Sequence, residues 1–109
     1  MTFELDPGYP VTVNDPELTE RMRPTLERIS DGRPLVEPTL VTGAEDFSYF
    51  ADASSGLYMF LGATAPGEEP LAAPSNHSPL FDFHEPNMEL GVRSFVHLTA
   101  DYLGAGGSD

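Results

Sequence analysis

Apolar side chains recur along this chain at several different spacings, and each spacing sets an expected element. Between residues 16 and 29, Leu18, Met22, Leu26 and Ile29 lie three or four apart, the repeat of one helix face. Proline disfavours the α conformation in the residue before it, so Asp15 is the expected N-cap and Pro16 the first helical residue. Pro24 falls inside the pattern and is expected to kink or interrupt the helix, since it removes a donor and clashes one turn back. The stretch "SDGRP" at residues 30–34 should close it.

Other stretches change period. In "TFELDPGYPVTVND" Tyr9, Val11 and Val13 alternate with other residues around a Pro-Gly break, which reads as two short extended pieces. "PTLVTG", residues 38–43, suits a short strand, and "AEDFSYFAD" suits one or two helical turns with Phe47 and Phe50 on one face. "GLYMFLGA", residues 56–63, is the clearest expected strand: a continuous apolar run between glycines, as burial on both faces requires. A proline-rich loop, "TAPGEEPLAAPSN", follows. The last expected element is an amphipathic helix in "EPNMELGVRSFVHLTADYL", with Met88, Val92, Phe95, Val96, Thr99, Tyr102 and Leu103 on one face. This order of extended pieces and helices indicates an α/β or α+β fold. No internal repeat and no low-complexity linker divides the chain.

At 109 residues the chain suits one small domain, and its 39% apolar content with seven Phe and four Tyr points to a globular rather than a disordered protein. Eleven Pro and ten Gly imply short elements and much loop. Eighteen Asp and Glu stand against five Arg and no Lys, for a formal net charge of −13. Nucleic acid is therefore not an expected partner, because phosphate binding depends on clustered cations. The same self-repulsion suggests a protein that works at high ionic strength, where salt screens it. Without Cys there is neither a disulfide framework nor a thiolate metal site. The N-terminus has no basic start followed by an apolar core, and no run has the length of a membrane span, so a soluble, cytoplasmic protein with no membrane partner is expected.

Two stretches could carry chemistry. "APSNHSPLFDFHE", residues 73–85, holds two of the three histidines. His77 lies on a loop stiffened by proline and could offer one ring nitrogen to a metal, or simply pack the loop; by spacing alone packing is favoured, because a catalytic zinc site needs about three protein ligands. His84 is seven residues on, outside both an i, i+4 helical pair and a short zinc-ligand spacing. Asp82, His84 and Glu85 stand just before the last helix, where the helix dipole favours a carboxylate; Glu85 suits a cap or support for a ligand better than a catalyst. His97, in the stripe Arg93, His97, Asp101, is expected to be a solvated surface residue. In the second stretch, "TGAEDFSYF", a glycine before a helix start could present free backbone N–H groups to a carboxylate or phosphate, while Glu45 and Asp46 could equally be ordinary acidic residues of a first turn.

Taken in order, "YPVTVNDPEL", "GAEDFSYF", "GLYMFLGA" and "NHSPLFDFHE" followed by the helix through "GVRSFVHLTADYL" resemble the C-terminal part of the M20 metallopeptidase family, closest to its N-acyl-amino-acid and hippurate hydrolases. The resemblance covers residues 9–103. It implies an α/β fold: the C-terminal segment of a three-layer, zinc-peptidase-like catalytic domain, with helices packed on a few strands. Residues 1–13 would be the last strand and exit of a lid domain that mediates dimers, residues 14–104 the returning end of the catalytic domain, and residues 105–109 a disordered tail. By the same resemblance the family's last metal ligand falls on His77, the N–H groups of Gly43 and Ala44 contact a substrate carboxylate, and Glu85 matches an acidic position with a supporting role near the metal. Position 84 departs from the branch, which more often has Asp there.

What the resemblance implies for function is the C-terminal segment of a metal-dependent amidohydrolase cleaving the amide of N-acyl amino acids or similar small substrates. No catalytic residue is assigned to this segment. The complete enzyme would hold a divalent metal pair, zinc or manganese, and would dimerise, whereas the isolated segment would bind metal weakly or not at all and be inactive. Its partner would be the missing N-terminal half or a homologous chain. The alternative is a non-catalytic remnant, or a binding or regulatory module that docks on a complete homologue.

Overall fold

A computed structural model describes residues 2–5, 8–37 and 43–107. Its α-helices are α1 (Pro16–Ile29), α2 (Phe47–Ala53) and α3 (Pro86–Gly107), with a 3₁₀ turn at Pro70–Ala72 between α2 and α3. The start of α1 follows the expected chemistry: Asp15 has extended backbone, and its carboxylate accepts the Leu18 N–H at 2.7 Å. Pro24, by contrast, does not interrupt the helix. Glu20 and Pro24 are both exposed, so the carbonyl that loses its donor stays hydrated. The end is set by Ser30, whose N–H reaches the Leu26 carbonyl at 3.0 Å, and by left-handed backbone at Asp31 (φ 52°) and Gly32 (φ 79°).

The core lies between α1 and α3. Met22 and Ile29 are its buried apolar side chains among the described residues, joined by Thr25 and Ser94. Along α3, Asn87, Leu90, Gly91, Ser94, His97, Leu98 and Asp101 are half-buried or buried. Cross-helix bonds run antiparallel. Arg21 stacks on the Tyr102 ring at 4.4 Å and donates to its carbonyl at 2.9 Å. Thr25 Oγ1 and Arg28 Nη2 both donate to Asp101 Oδ2 at 2.7 Å, and Arg93 pairs with Asp31 at 3.1 Å. The expected orientation of α3 is therefore corrected. The Arg93, His97, Asp101 stripe is half-buried rather than fully solvated: Asp101 bonds Thr25 and Arg28 of α1, and Arg93 pairs with Asp31 just beyond it. Met88, Val92, Phe95, Val96, Tyr102 and Leu103 are instead 48% to 73% exposed.

The expected sheet is not seen. Among the described residues there is no strand, so the layered α/β arrangement is not confirmed; "PTLVTG" at residues 38–43 falls largely outside them. Residues 56–63 are extended but carry no ladder. Side chains replace it. Asn14 accepts the Tyr58 N–H at 2.7 Å and donates to the Tyr58 carbonyl at 2.8 Å, and the Asp15 N–H reaches the Gly56 carbonyl at 2.9 Å. At the other end Asn87 donates to the Gly62 carbonyl at 2.7 Å and the His84 N–H to the Ala63 carbonyl at 2.8 Å.

Helices flank this segment. α2 meets it through Phe47 and Tyr58, whose ring centroids are 5.4 Å apart, and through Gly56, where an added Cβ would come within 3.0 Å of the Ala51 Cβ. The expected pairing of Phe47 and Phe50 on one face of α2 is present, with ring centroids 6.3 Å apart. From the other side Leu61 reaches α3, since a Cβ on Gly91 would lie 3.1 Å from its Cδ2. The accessible surface is 9055 Å², whereas a compact protein of 11.8 kDa exposes about 5,900 Å². The radius of gyration, 17.0 Å, likewise exceeds the roughly 13 Å of a compact chain of this length. No described helix is long and apolar enough to cross a membrane.

Candidate functional site

His77 sits at the tip of a tight turn. The Ser78 N–H closes the turn on the Ser75 carbonyl at 2.9 Å, the Ser75 hydroxyl takes the His77 N–H at 3.4 Å, and the Ser78 hydroxyl takes the Leu80 N–H at 3.1 Å. Serine hydroxyls that bond the backbone two residues on stiffen such turns without any sheet or helix behind them. The imidazole is exposed and has no hydrogen-bond or ion-pair partner among the described residues. It is a presented ring on a held backbone.

The structure does not gather other ligands around it. Among the described residues no group of three or more His, Asp or Glu side chains is placed to hold a metal ion. One imidazole is a single ligand out of three or four, so these residues alone do not fit a complete divalent-metal site. Asp82, His84 and Glu85 come together elsewhere, lining a cleft of about 310 Å³ with Ala63, Ala65, Glu68 and Phe83, without His77. Their backbone starts α3, where the carbonyls of His84 and Glu85 accept the N–H groups of Asn87 and Met88 at 2.9 Å. Gly43 and Ala44 are exposed, and no described residue accepts from their N–H groups. These two donors are open to a ligand.

A cluster that local spacing missed joins the Gly43–Ala44 loop to the extended segment. Glu45 accepts from the Tyr58 hydroxyl at 3.2 Å and from the Phe47 N–H at 3.3 Å, and its carbonyl takes the hydroxyl of fully buried Ser48 at 2.8 Å. Hydrogen bonding from Asp46 holds the Glu45 carboxyl below its usual range, with the Phe47 N–H and the Tyr58 hydroxyl adding to it. The same pairing pushes Asp46 up, and burial, followed by the Glu45 carboxylate, raises Tyr58. Asp46 carries no side-chain cap bond; Glu45 does the anchoring. Tyr58 lies thirteen residues from Glu45, so no helical or strand period connects them.

Comparison with known proteins gives this arrangement a family. Residues 1–101 match the family described as Peptidase family M20/M25/M40. The chain is 41% identical over 94 residues to thermostable carboxypeptidase 2 of Saccharolobus solfataricus, covering 86% of this chain and 23% of that protein. Thermostable carboxypeptidase 1 of the same organism is 37% identical over 94 residues, again 86% of this chain and 23% of the relative. IAA-amino acid hydrolase ILR1-like 2 of Arabidopsis thaliana is 31% identical over 94 residues, 86% of this chain and 21% of the relative. No solved structure matches the chain. The chain thus spans under a quarter of the length of these hydrolases, which accords with a small core, a presented histidine and few ligands beside it. With residues 1–101 matched, this chain belongs to peptidase family M20/M25/M40.

Proposed function

We propose that this chain is the C-terminal segment of a metal-dependent amidohydrolase that cleaves the amide of an N-acyl amino acid or a similar small substrate. The observation that carries the proposal is the family match over residues 1–101 together with relatives named as carboxypeptidases and an amino acid conjugate hydrolase. Those hydrolases favour this role over a non-catalytic remnant or a regulatory module. His77 supplies one ligand, its ring exposed on a turn that Ser75 and Ser78 hold. The open N–H groups of Gly43 and Ala44 bind the substrate carboxylate, a use that free backbone donors suit. Glu85 supports the site from the start of α3. A divalent metal, zinc or manganese, held in part by His77 would supply Lewis-acid polarisation of the carbonyl and a lowered pKa for water. Its remaining ligands and the general base come from the part of the hydrolase that this chain does not span.

The test is complementation. The 109-residue chain is joined to the part of thermostable carboxypeptidase 2 that its match leaves uncovered, and bound metal and N-acyl amino acid hydrolysis are measured. His77→Ala is expected to lower both, the rate by at least about 100-fold, more than the loss of an outer-shell partner. Unchanged metal content and rate in that variant would remove His77 from the site.

A further inference from the structure

Tyr58 is held from backbone to ring. Asn14 bonds its N–H at 2.7 Å and its carbonyl at 2.8 Å. Its ring lies 5.4 Å from that of Phe47 on α2 and, edge to face, 5.5 Å from that of Phe60. This fixed ring presents a hydroxyl that donates to Glu45 Oε2 at 3.2 Å. The other carboxylate oxygen accepts the Phe47 N–H at 3.3 Å, and the Glu45 carbonyl takes the hydroxyl of buried Ser48 at 2.8 Å. Glu45 is thereby tied at both carboxylate and backbone, directly after the two open donors of Gly43 and Ala44.

Other contacts already seat α2 on the extended segment: the Phe47–Tyr58 ring contact and the close approach of Gly56 to Ala51. Nor is the bond an ordinary helix cap, because Glu45 precedes the N-cap, Asp46, whose own side chain makes no cap bond. What the hydroxyl adds is a fixed direction for the Glu45 carboxylate. Left unbonded, that charge would be free to turn toward an anion on the Gly43 and Ala44 N–H groups and repel it. Hydrogen bonding from Asp46, then from the Phe47 N–H and Tyr58, holds the Glu45 carboxyl below its usual range, and burial raises the Tyr58 hydroxyl. Acceptor and donor therefore keep their charged and protonated forms at neutral pH.

Resting on the function proposed above, we infer that Tyr58 is a positioning residue: through Glu45 it fixes the Gly43 and Ala44 N–H groups for the substrate carboxylate and keeps the Glu45 charge off it. Donors held in advance bind an anion without the cost of ordering their loop. The consequence is specificity for a free carboxylate over a neutral amide end, since a hydrogen bond to a charged acceptor is roughly twice as strong as one to a neutral acceptor.

Tyr58→Phe tests this, because it keeps the ring and removes only the hydroxyl. In the 109-residue chain, NMR amide order parameters at Gly43 and Ala44 are expected near the rigid value of about 0.85, falling below about 0.6 in the variant while those of α1 and α3 hold. The variant is also placed in the enzyme made by joining the chain to the uncovered part of thermostable carboxypeptidase 2. There it should raise KM for an N-acyl amino acid about fivefold to tenfold with kcat little changed, and leave inhibition by the corresponding N-acyl amino acid amide unmoved. In a Glu45→Ala background it should have no further effect on KM, because it acts through Glu45. Unchanged order parameters, equal losses for acid and amide, an effect that persists without the Glu45 carboxylate, or a KM that Ala44→Pro raises and Tyr58→Phe does not would each overturn the positioning role. Loosened amides with a KM that neither variant moves would instead sink the carboxylate-binding reading and leave only the anchoring of the loop by Tyr58. A joined enzyme without turnover would sink the function proposed above, and the order parameters would then decide whether Tyr58 fixes the loop.

Discussion

Asp101 draws a hydroxyl and a guanidinium, from Thr25 and Arg28, onto one carboxylate oxygen at 2.7 Å. Arg28 first, then Thr25, hold its carboxyl below the usual 3.8, with His97 adding to the pull. A lowered folded-state value means that this contribution to stability is present above the unfolded value and is lost as pH falls through the folded one. Thermal midpoints followed by circular dichroism should therefore drop as pH goes below 3.8, and Asp101→Asn should flatten that part of the profile. Ile29 is 2% exposed, so Ile29→Ala should cost about 2–4 kcal/mol, read as a lower urea midpoint. Asp15→Ala should cost about 1 kcal/mol through the lost cap. In the complete enzyme, Ala44→Pro deletes one of the two open donors and should raise KM with kcat little changed, as loss of uniform substrate binding does.

At the scale of elements, what was legible in the sequence was local. The Asp15 cap, the stop after Ile29, the Phe47–Phe50 face and the long last helix all follow from residues within a turn or two of one another. What was not legible depended on distant partners. Residues 56–63 have the composition of a buried strand, but a ladder needs neighbours, and here Asn14 stands in at Tyr58 through both its amide groups while Asp15, Asn87 and His84 bond the ends. Asn14→Ala should accordingly release the segment and cost about 1–2 kcal/mol. The rotation of α3 was hidden for the same reason. Its apolar row is real, yet it is the opposite face that bonds Thr25 and Arg28 of α1 through Asp101. In the candidate site, the bond between Glu45 and Tyr58 could only be seen once the chain folded.

Across the whole molecule, charge and surface act together. A net charge of −13 on a chain with 9055 Å² of accessible surface predicts a melting temperature that rises between low and molar salt; a flat response would remove repulsion as a limit on stability. The exposed apolar faces accord with a chain that spans under a quarter of the length of its hydrolase relatives. The most direct measurement is hydrolysis of an N-acyl amino acid with divalent metal present, by the 109-residue chain alone and joined to the complementary part of its carboxypeptidase relative. No turnover by the chain alone and turnover on joining are predicted. Turnover by the purified chain alone would contradict the account.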